Sequence, residues 1–197
     1  MLLRPNQRVI AFTGPKTCGK DAAASFILRR PRTEKIAYAA AVKDVCTRMF
    51  DFSHARMHDA SWKEAPVKEW PFESSRFHMQ KVAKMFRQHY GPDVWVKIWE
   101  RAAALSLADT IVVTDLRHVE ELDSLHALKA DIVYIHRDVA ERELLLAQQR
   151  GDRLALDPSE ASYAAMRKAS NYTIYNNHSL DVLEEAVEEV WSRTYES

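Results

Sequence analysis

Hydrophobic and polar positions along the chain change period repeatedly, and each change marks an element. Arg8-Val9-Ile10-Ala11-Phe12 is a short apolar, β-branched run that predicts a buried first strand. The alanine-rich stretch 22–28 behind it predicts a helix. Residues 35–39 predict a second strand, running into a helix over 40–50 with Val42, Val45, Cys46 and Met49 on one face. From 51 to 71 the periodicity fails, and aromatics, histidines and prolines mix with charges in an irregular excursion. Helical spacing resumes over 76–90, where Met79, Val82, Ala83 and Phe86 recur at three and four. Gly91-Pro92-Asp93 ends that helix and caps the next, over 94–107. Thr110-Ile111-Val112-Val113-Thr114-Asp115 is nearly all apolar until its terminal carboxylate, the signature of a central parallel strand buried on both faces. Strands over 131–135 and 172–176 and helices over 119–128, 139–149 and 180–191 complete the pattern, with Gly151 closing the second of these helices. Strands separated by helix-length connections predict an α/β fold: a doubly wound, three-layer sandwich with a parallel sheet of about five strands and helices on both faces. A single domain over 1–197 is expected, with a helical region at about 51–108 and a helical lid at about 138–170.

Apolar residues make up 47 % of the 197 positions, enough for a sizeable core and too many for wholesale disorder. Twenty-eight basic and 28 acidic side chains cancel to a formal net charge of +0, which argues against a globally basic nucleic-acid binder or a membrane-surface protein. No run approaches the roughly 18 apolar residues of a membrane span, and residues 1–8 lack the apolar core of a signal peptide, so a cytoplasmic location is expected. Cys18 and Cys46 form neither a disulfide framework nor a zinc set, and the histidines lack ligand spacing.

Glycine is scarce, with four in the chain against a usual content of roughly 7 %, so the position of each carries weight. Gly14 and Gly19 bracket Pro15-Lys16-Thr17-Cys18 and are followed by Lys20-Asp21-Ala22. Strand, Gly-x-x-x-x-Gly-Lys, helix is the P-loop arrangement. The glycines permit backbone conformations closed to other residues, so that successive N–H groups of the loop can point into one concavity that holds phosphates, with residues 14–22 as the candidate nucleotide-binding set. The helix N-terminus adds partial positive charge, and Lys20 reaches the β- and γ-phosphates. Asp21 stands where a Ser or Thr commonly meets Mg²⁺; its carboxylate is either a metal ligand or a favourable first-turn helix residue. Asp115, at the carboxyl end of a central strand, is the natural second carboxylate for Mg²⁺ or its water, with helix capping as the alternative. Arg117 leaves the same strand end and could meet a phosphate or pair with Asp115.

Arg150 and Arg153 sit where a mobile flap could close cations over a transferring phosphoryl group, a catalytic role; otherwise they are ordinary residues of a solvated helix face. Arg76, Gln80, Lys84 and Arg87 fall on one polar helix face. That stripe is either merely solvated or binds a nucleoside monophosphate, with arginine taking phosphate bidentately and the amide reading a base edge. Nearby aromatics, Trp95 among them, are either core or base-stacking residues.

Together these pieces resemble the bacteriophage-type deoxynucleoside monophosphate kinases, a branch of the P-loop kinases, over most of the chain. The resemblance rests on the loop from Gly14 to Asp21, the small-residue stretch 39–44 with its Lys43-Asp44, Arg76-x-x-Met79-Gln80 with Arg87 beyond, Val94-Trp95-Val96, Asp115-Leu116-Arg117, Ser159-Glu160 and the turn Asn176-Asn177-His178-Ser179-Leu180. It implies transfer of the γ-phosphoryl of ATP to a deoxynucleoside monophosphate, with Mg²⁺. Lys43, Arg76, Gln80, Arg87, Trp95, Asp115 and Arg117 would lie on the acceptor side, and Asn177 near the nucleoside of ATP. It also implies the cytoplasm of an infected host if the chain is phage-encoded; a homodimer is compatible with it. The Gly-Lys-Asp loop is similar to that of animal phosphomevalonate kinases too, which leaves phosphomevalonate as an alternative acceptor. A P-loop switch or motor is the alternative of a different class, although no Asn-Lys-x-Asp occurs and Asp115-Leu116 is not an Asp-Glu pair.

Overall fold

The computed structural model describes residues 3–150 and 160–196. Strands β1 (Arg8–Thr13), β2 (Thr33–Lys35), β3 (Thr110–Val113), β4 (Asp131–His136) and β5 (Tyr172–Tyr175) form one parallel sheet in the order β2-β3-β1-β4-β5. The helices are α1 (Lys20–Leu28), α2 (Ala39–Phe50), α3 (His54–His58), α4 (Ala60–Glu64), α5 (Ser75–Tyr90), α6 (Val94–Leu105), α7 (Val119–Ala127), α8 (Val139–Arg150), α9 (Glu160–Ala169) and α10 (Leu180–Glu196). No helix among the described residues is long and apolar enough to cross a membrane. By internal contacts the chain divides into two compact units, one of residues 1–37 and 100–197, the other of residues 38–99.

The first unit contains the sheet. Val9 to Thr13, Thr110 to Val113 and Ile132 to Ile135 are all buried, because β1, β3 and β4 are covered on both faces, as continuous apolar runs require. Register fixes the strands: Arg8 lies beside Thr110 and Ala11 beside Val113, while Ile10 lies beside Asp131 and Thr13 beside Tyr134. The period of two then sorts the side chains. Ile10, Phe12, Val112, Val133, Ile135 and Ile174 form one core with residues of α1 and α10, among them Ala23, Phe26, Ile27, Leu183, Val187 and Trp191. Helix α9, with Tyr163 and Met166 buried, packs on β1 and β4.

Residues 35–39 depart from the sequence expectation. The strand ends at Lys35, and only the Ile36 N–H, 3.1 Å from the Val112 carbonyl, prolongs the ladder. Tyr38 already has helical backbone (φ −58°, ψ −36°), and its buried ring packs 4.9 Å from that of Trp99. An apolar run serves a strand and a helix entry equally well, and the aromatic contact decides between them.

The second unit is helical. Val42, Cys46, Phe52, Met57, Val82 and Trp95 form its core, with Val45, Met79, Ala83 and Phe86 packed around them. The faces expected of α2 and α5 are therefore the buried ones, except that Met49 is exposed. The stretch 51–71 holds the short helices α3 and α4, which sequence periodicity does not reveal because a five-residue helix spans barely more than one turn.

Candidate active site

The loop after β1 is shaped by three residues of positive φ: Gly14 (136°), Thr17 (64°) and Gly19 (104°). Glycine is demanded twice over at its two ends. A Cβ on Gly14 would stand 2.4 Å from the Ile135 carbonyl oxygen, and one on Gly19 would stand 2.2 Å from Asn176 Nδ2. Gly19 is also the N-cap of α1; its carbonyl accepts the Ala23 N–H at 2.9 Å, and it has no side chain to cap the first-turn donors. Those N–H groups and the helix dipole make an anion-binding end. Thr13, fully buried, donates its hydroxyl to the Leu116 carbonyl at 3.1 Å and so ties the end of β1 to the segment after β3.

Lys20 lies over the loop. Its Nζ donates to the Gly14 carbonyl at 2.6 Å and the Pro15 carbonyl at 2.7 Å, and stands 3.7 Å from Cys18 Sγ. Burial lowers its pKa from the ordinary lysine value and the Arg117 charge adds to this, while Cys18 and Asp21 oppose it. Burial pushes the Cys18 thiol up, only partly offset by Lys20.

The Asp21 carboxylate is exposed and pairs with Lys35 Nζ at 2.7 Å. Partial desolvation works against its ionisation, but the hydrogen bonds from Lys35 and Thr114 and the charges of Lys35 and Lys20 hold its pKa below the usual carboxylate value. Asp115, half-buried, is the residue after Thr114, so sequence adjacency and a hydrogen bond bring both candidate metal carboxylates to the end of β3. Mg²⁺ bound with nucleotide phosphates needs only one or two protein carboxylates, and these oxygen donors fit that requirement. Among the described residues no group of three or more His, Cys, Asp or Glu forms a self-sufficient metal cage.

Arg117 has its backbone fixed on two sides. Its N–H and that of His118 donate to Glu121 Oε2 at 2.8 and 3.0 Å, and its carbonyl accepts from Ser162 Oγ at 3.1 Å. Glu121 is buried and closes the capping box of α7. Arg142, on α8, is 6 % exposed, and its carbonyl is 3.5 Å from Thr17 Oγ1. Arg150 is the last residue of α8, whereas Arg153, Gly151 and Ser159 lie outside the described residues. Lys16 is exposed, Pro15 is buried and Ala22 is half-buried.

Of the two adjacent asparagines, Asn177 accepts the Asp138 N–H on its Oδ1 at 3.1 Å, while the buried Asn176 donates its Nδ2 to the Cys18 carbonyl at 2.8 Å. Asn176 therefore touches the loop, a role the sequence analysis did not give it. The available signal was strand parity: Ile174 and Asn176 share one face, Tyr175 and Asn177 the other. Arg137 was likewise missed. Its Nε donates to the Asn176 carbonyl at 2.6 Å and its guanidinium lies 3.4 Å from the Thr17 carbonyl.

The remaining candidates belong to the helical unit. Lys43 Nζ is 3.4 Å from His58 Nδ1. Arg76, half-buried in the first turn of α5, is ion-paired with Glu64; Gln80 is exposed and Arg87 half-buried on the same helix. Trp95 is 2 % exposed, and its indole N–H donates to the Ala83 carbonyl at 3.2 Å. It is a core residue, and the exposed aromatic rings among the described residues of this unit are instead Trp62, Trp70, Phe72, Phe77 and Tyr90.

No protein-family model matches the sequence, and no curated protein matches it. Solved structures do share its fold. TT1252 from Thermus thermophilus superposes with a TM-score of 0.55 at 16 % identity, covering 95 % of this chain and 97 % of its own. Dephospho-CoA kinase from Campylobacter jejuni gives 0.52 at 12 % identity, over 96 % and 98 % of the two chains. Shikimate kinase from Bacteroides thetaiotaomicron gives 0.51 at 10 % identity, over 95 % and 98 %. The architecture is thus the α/β fold of small P-loop kinases, with the glycine-lysine loop at its expected place between β1 and α1.

Proposed function

We propose that the protein is a Mg²⁺-dependent kinase that moves the γ-phosphoryl group of ATP to the phosphate of a deoxynucleoside monophosphate. The carrying observation is the placement of Lys20 Nζ, held at 2.6–2.7 Å over the loop carbonyls beside the uncapped start of α1. An acceptor phosphate oxygen attacks the γ-phosphorus and the bond to the β–γ bridging oxygen breaks, leaving ADP and the deoxynucleoside diphosphate. Such transfer needs little covalent help from the protein; positioning and charge stabilisation do most of the work. Backbone N–H groups within the loop 14–22, to which Pro15 contributes none, and the Lys20 ammonium bind the phosphates of ATP, and Lys20 offsets the negative charge that moves toward the leaving oxygen. Asp21 and Asp115 would hold Mg²⁺, which would supply positive charge to the phosphates. Arg117 adds a cation on the same side, and Arg150 and Arg153 are assigned to a lid that closes over the transferring group. The nucleotide acceptor is supported by the sequence resemblance and by the α5 stripe of Arg76, Gln80 and Arg87, whose forked cations suit a phosphate. That similarly folded proteins are titled kinases of dephospho-CoA and of shikimate supports a small-molecule acceptor.

The test incubates the protein with ATP and Mg²⁺ and, separately, each deoxynucleoside monophosphate or phosphomevalonate, with products resolved by ion exchange. Equal amounts of ADP and a deoxynucleoside diphosphate are expected. ADP formed without any phosphorylated acceptor would replace the kinase reading by an ATP-driven switch. Product from phosphomevalonate alone would keep the kinase and change its acceptor.

A further inference from the structure

The P-loop is usually regarded as shaped by its own glycines, yet two of its carbonyls are held from outside by residues more than a hundred positions away. Asn176 Nδ2 donates to the Cys18 carbonyl at 2.8 Å, and Arg137 reaches the Thr17 carbonyl at 3.4 Å. The two holding residues are joined, since Arg137 Nε donates to the Asn176 carbonyl at 2.6 Å and the Asn176 N–H donates to the His136 carbonyl at 2.7 Å. Asn176 is 4 % exposed, and Arg137 Nε also lies 3.6 Å from Glu141 Oε2, so neither is a free surface group.

A trans peptide points its C=O and the following N–H in opposite directions. Holding the Cys18 carbonyl toward β5 therefore turns the Gly19 N–H away from β5, and holding the Thr17 carbonyl does the same to the Cys18 N–H. The latter is found 3.3 Å from the Pro15 carbonyl, the same oxygen that Lys20 Nζ occupies. Gly19 completes the arrangement, because any Cβ there would collide with Asn176 Nδ2 at 2.2 Å. Without Asn176, Gly19 at φ 104° has other conformations open to it, and the donor directions would no longer be fixed before the ligand arrives.

We infer that Asn176, with Arg137 behind it, is a positioning residue for phosphate binding, presetting the Gly19 amide toward the anion by clamping the carbonyl of the preceding Cys18 from the sheet edge. The inference rests on the loop's being a phosphate site, and inorganic pyrophosphate is the probe because it engages that site without a nucleoside. The experiment measures pyrophosphate affinity by calorimetry for the whole chain and its N176A and N176S variants, well below each thermal midpoint. In parallel, the Gly19 amide resonance is followed during titration. N176S retains a small polar side chain in case the alanine variant does not fold. Roughly tenfold weaker pyrophosphate binding is expected, the scale of one lost hydrogen bond in a preorganised site, with a smaller Gly19 amide shift than in the unaltered protein. A merely structural Asn176 would lower the midpoint but leave affinity at lower temperature unchanged, and that result overturns the inference alone. Failure of the unaltered protein to bind pyrophosphate or ATP would overturn the phosphate-site reading together with it.

Discussion

Lys20→Ala is the substitution that bears hardest on the proposed chemistry. In the ligand-free loop Lys20 Nζ makes two hydrogen bonds, to the Gly14 and Pro15 carbonyls at 2.6 and 2.7 Å. Charge-assisted bonds of this kind contribute about 1.5–3 kcal/mol each, but the ammonium gives up hydration to reach them, as its lowered pKa records. The net loss of stability should therefore be about 1–2 kcal/mol, a fall in Tm of roughly 2–8 °C for a chain of this length. The effect on transfer should be far larger. Removing one donor aimed at developing charge costs on the order of 3–4 kcal/mol, which is a hundred- to a thousandfold in kcat. Initial rates of ADP and diphosphate formation at saturating ATP and acceptor measure the second effect, and scanning calorimetry measures the first. A folded Lys20→Ala protein with near-normal turnover would refute the assignment of the loop. A large fall in Tm with turnover per folded molecule preserved would show that Lys20 serves the loop's shape and not the reaction.

Four further outcomes are expected. Lys20 titrates below the ordinary lysine value, so kcat/KM for ATP should fall on the alkaline side at a lower pH than an exposed lysine would give; folding stability should meanwhile rise with pH between the lowered value and about 10.4, because there the unfolded chain binds the extra proton. Arg117→Gln removes a charge that depresses Lys20 and should move that alkaline limb to higher pH; a limb that stays put denies the coupling. Asp115→Asn should raise the Mg²⁺ midpoint and cut turnover, whereas Asp21→Ser should keep part of the activity; an unmoved Mg²⁺ titration for Asp115→Asn would take that residue out of the metal site, and since His118 is the N-cap of α7 it would not leave it a helix cap either. Arg76→Lys and Arg87→Lys keep the charge but lose the planar fork, so acceptor KM should rise with ATP KM nearly constant; if both variants leave acceptor kinetics untouched, the α5 stripe is only a solvated face.

The sequence alone determined the sheet and its helices, because buried parallel strands and amphipathic helices must carry their environment as local periodicity. Thr110-Ile111-Val112-Val113 reads as a strand covered on both faces and is buried as expected, and Asp131-Ile132-Val133-Tyr134-Ile135, read as a strand, is one, with Ile132 to Ile135 buried. The loop from Gly14 to Lys20 was equally legible, since glycine at two of its three positive-φ positions and a following lysine form a local code, whereas the positive φ of Thr17 has no such signal. What periodicity could not carry were contacts between segments distant in sequence. Nothing near Tyr38 announces Trp99, so residues 36–39 read as strand, whereas the strand ends at Lys35 and the helix begins at Ala39 behind the Tyr38–Trp99 ring contact. Nothing near Trp95 announces the Ala83 carbonyl that satisfies its indole within the core. Asn176 and Asn177 are chemically identical neighbours, and only the register of β5 on β4, with His136 beside Tyr175, turns Asn176 toward Cys18 and Asn177 toward Asp138. Side-chain direction in a strand reverses at every residue, so which of two equal amides meets the loop is a tertiary decision, made by the burial of Ile174 two positions earlier.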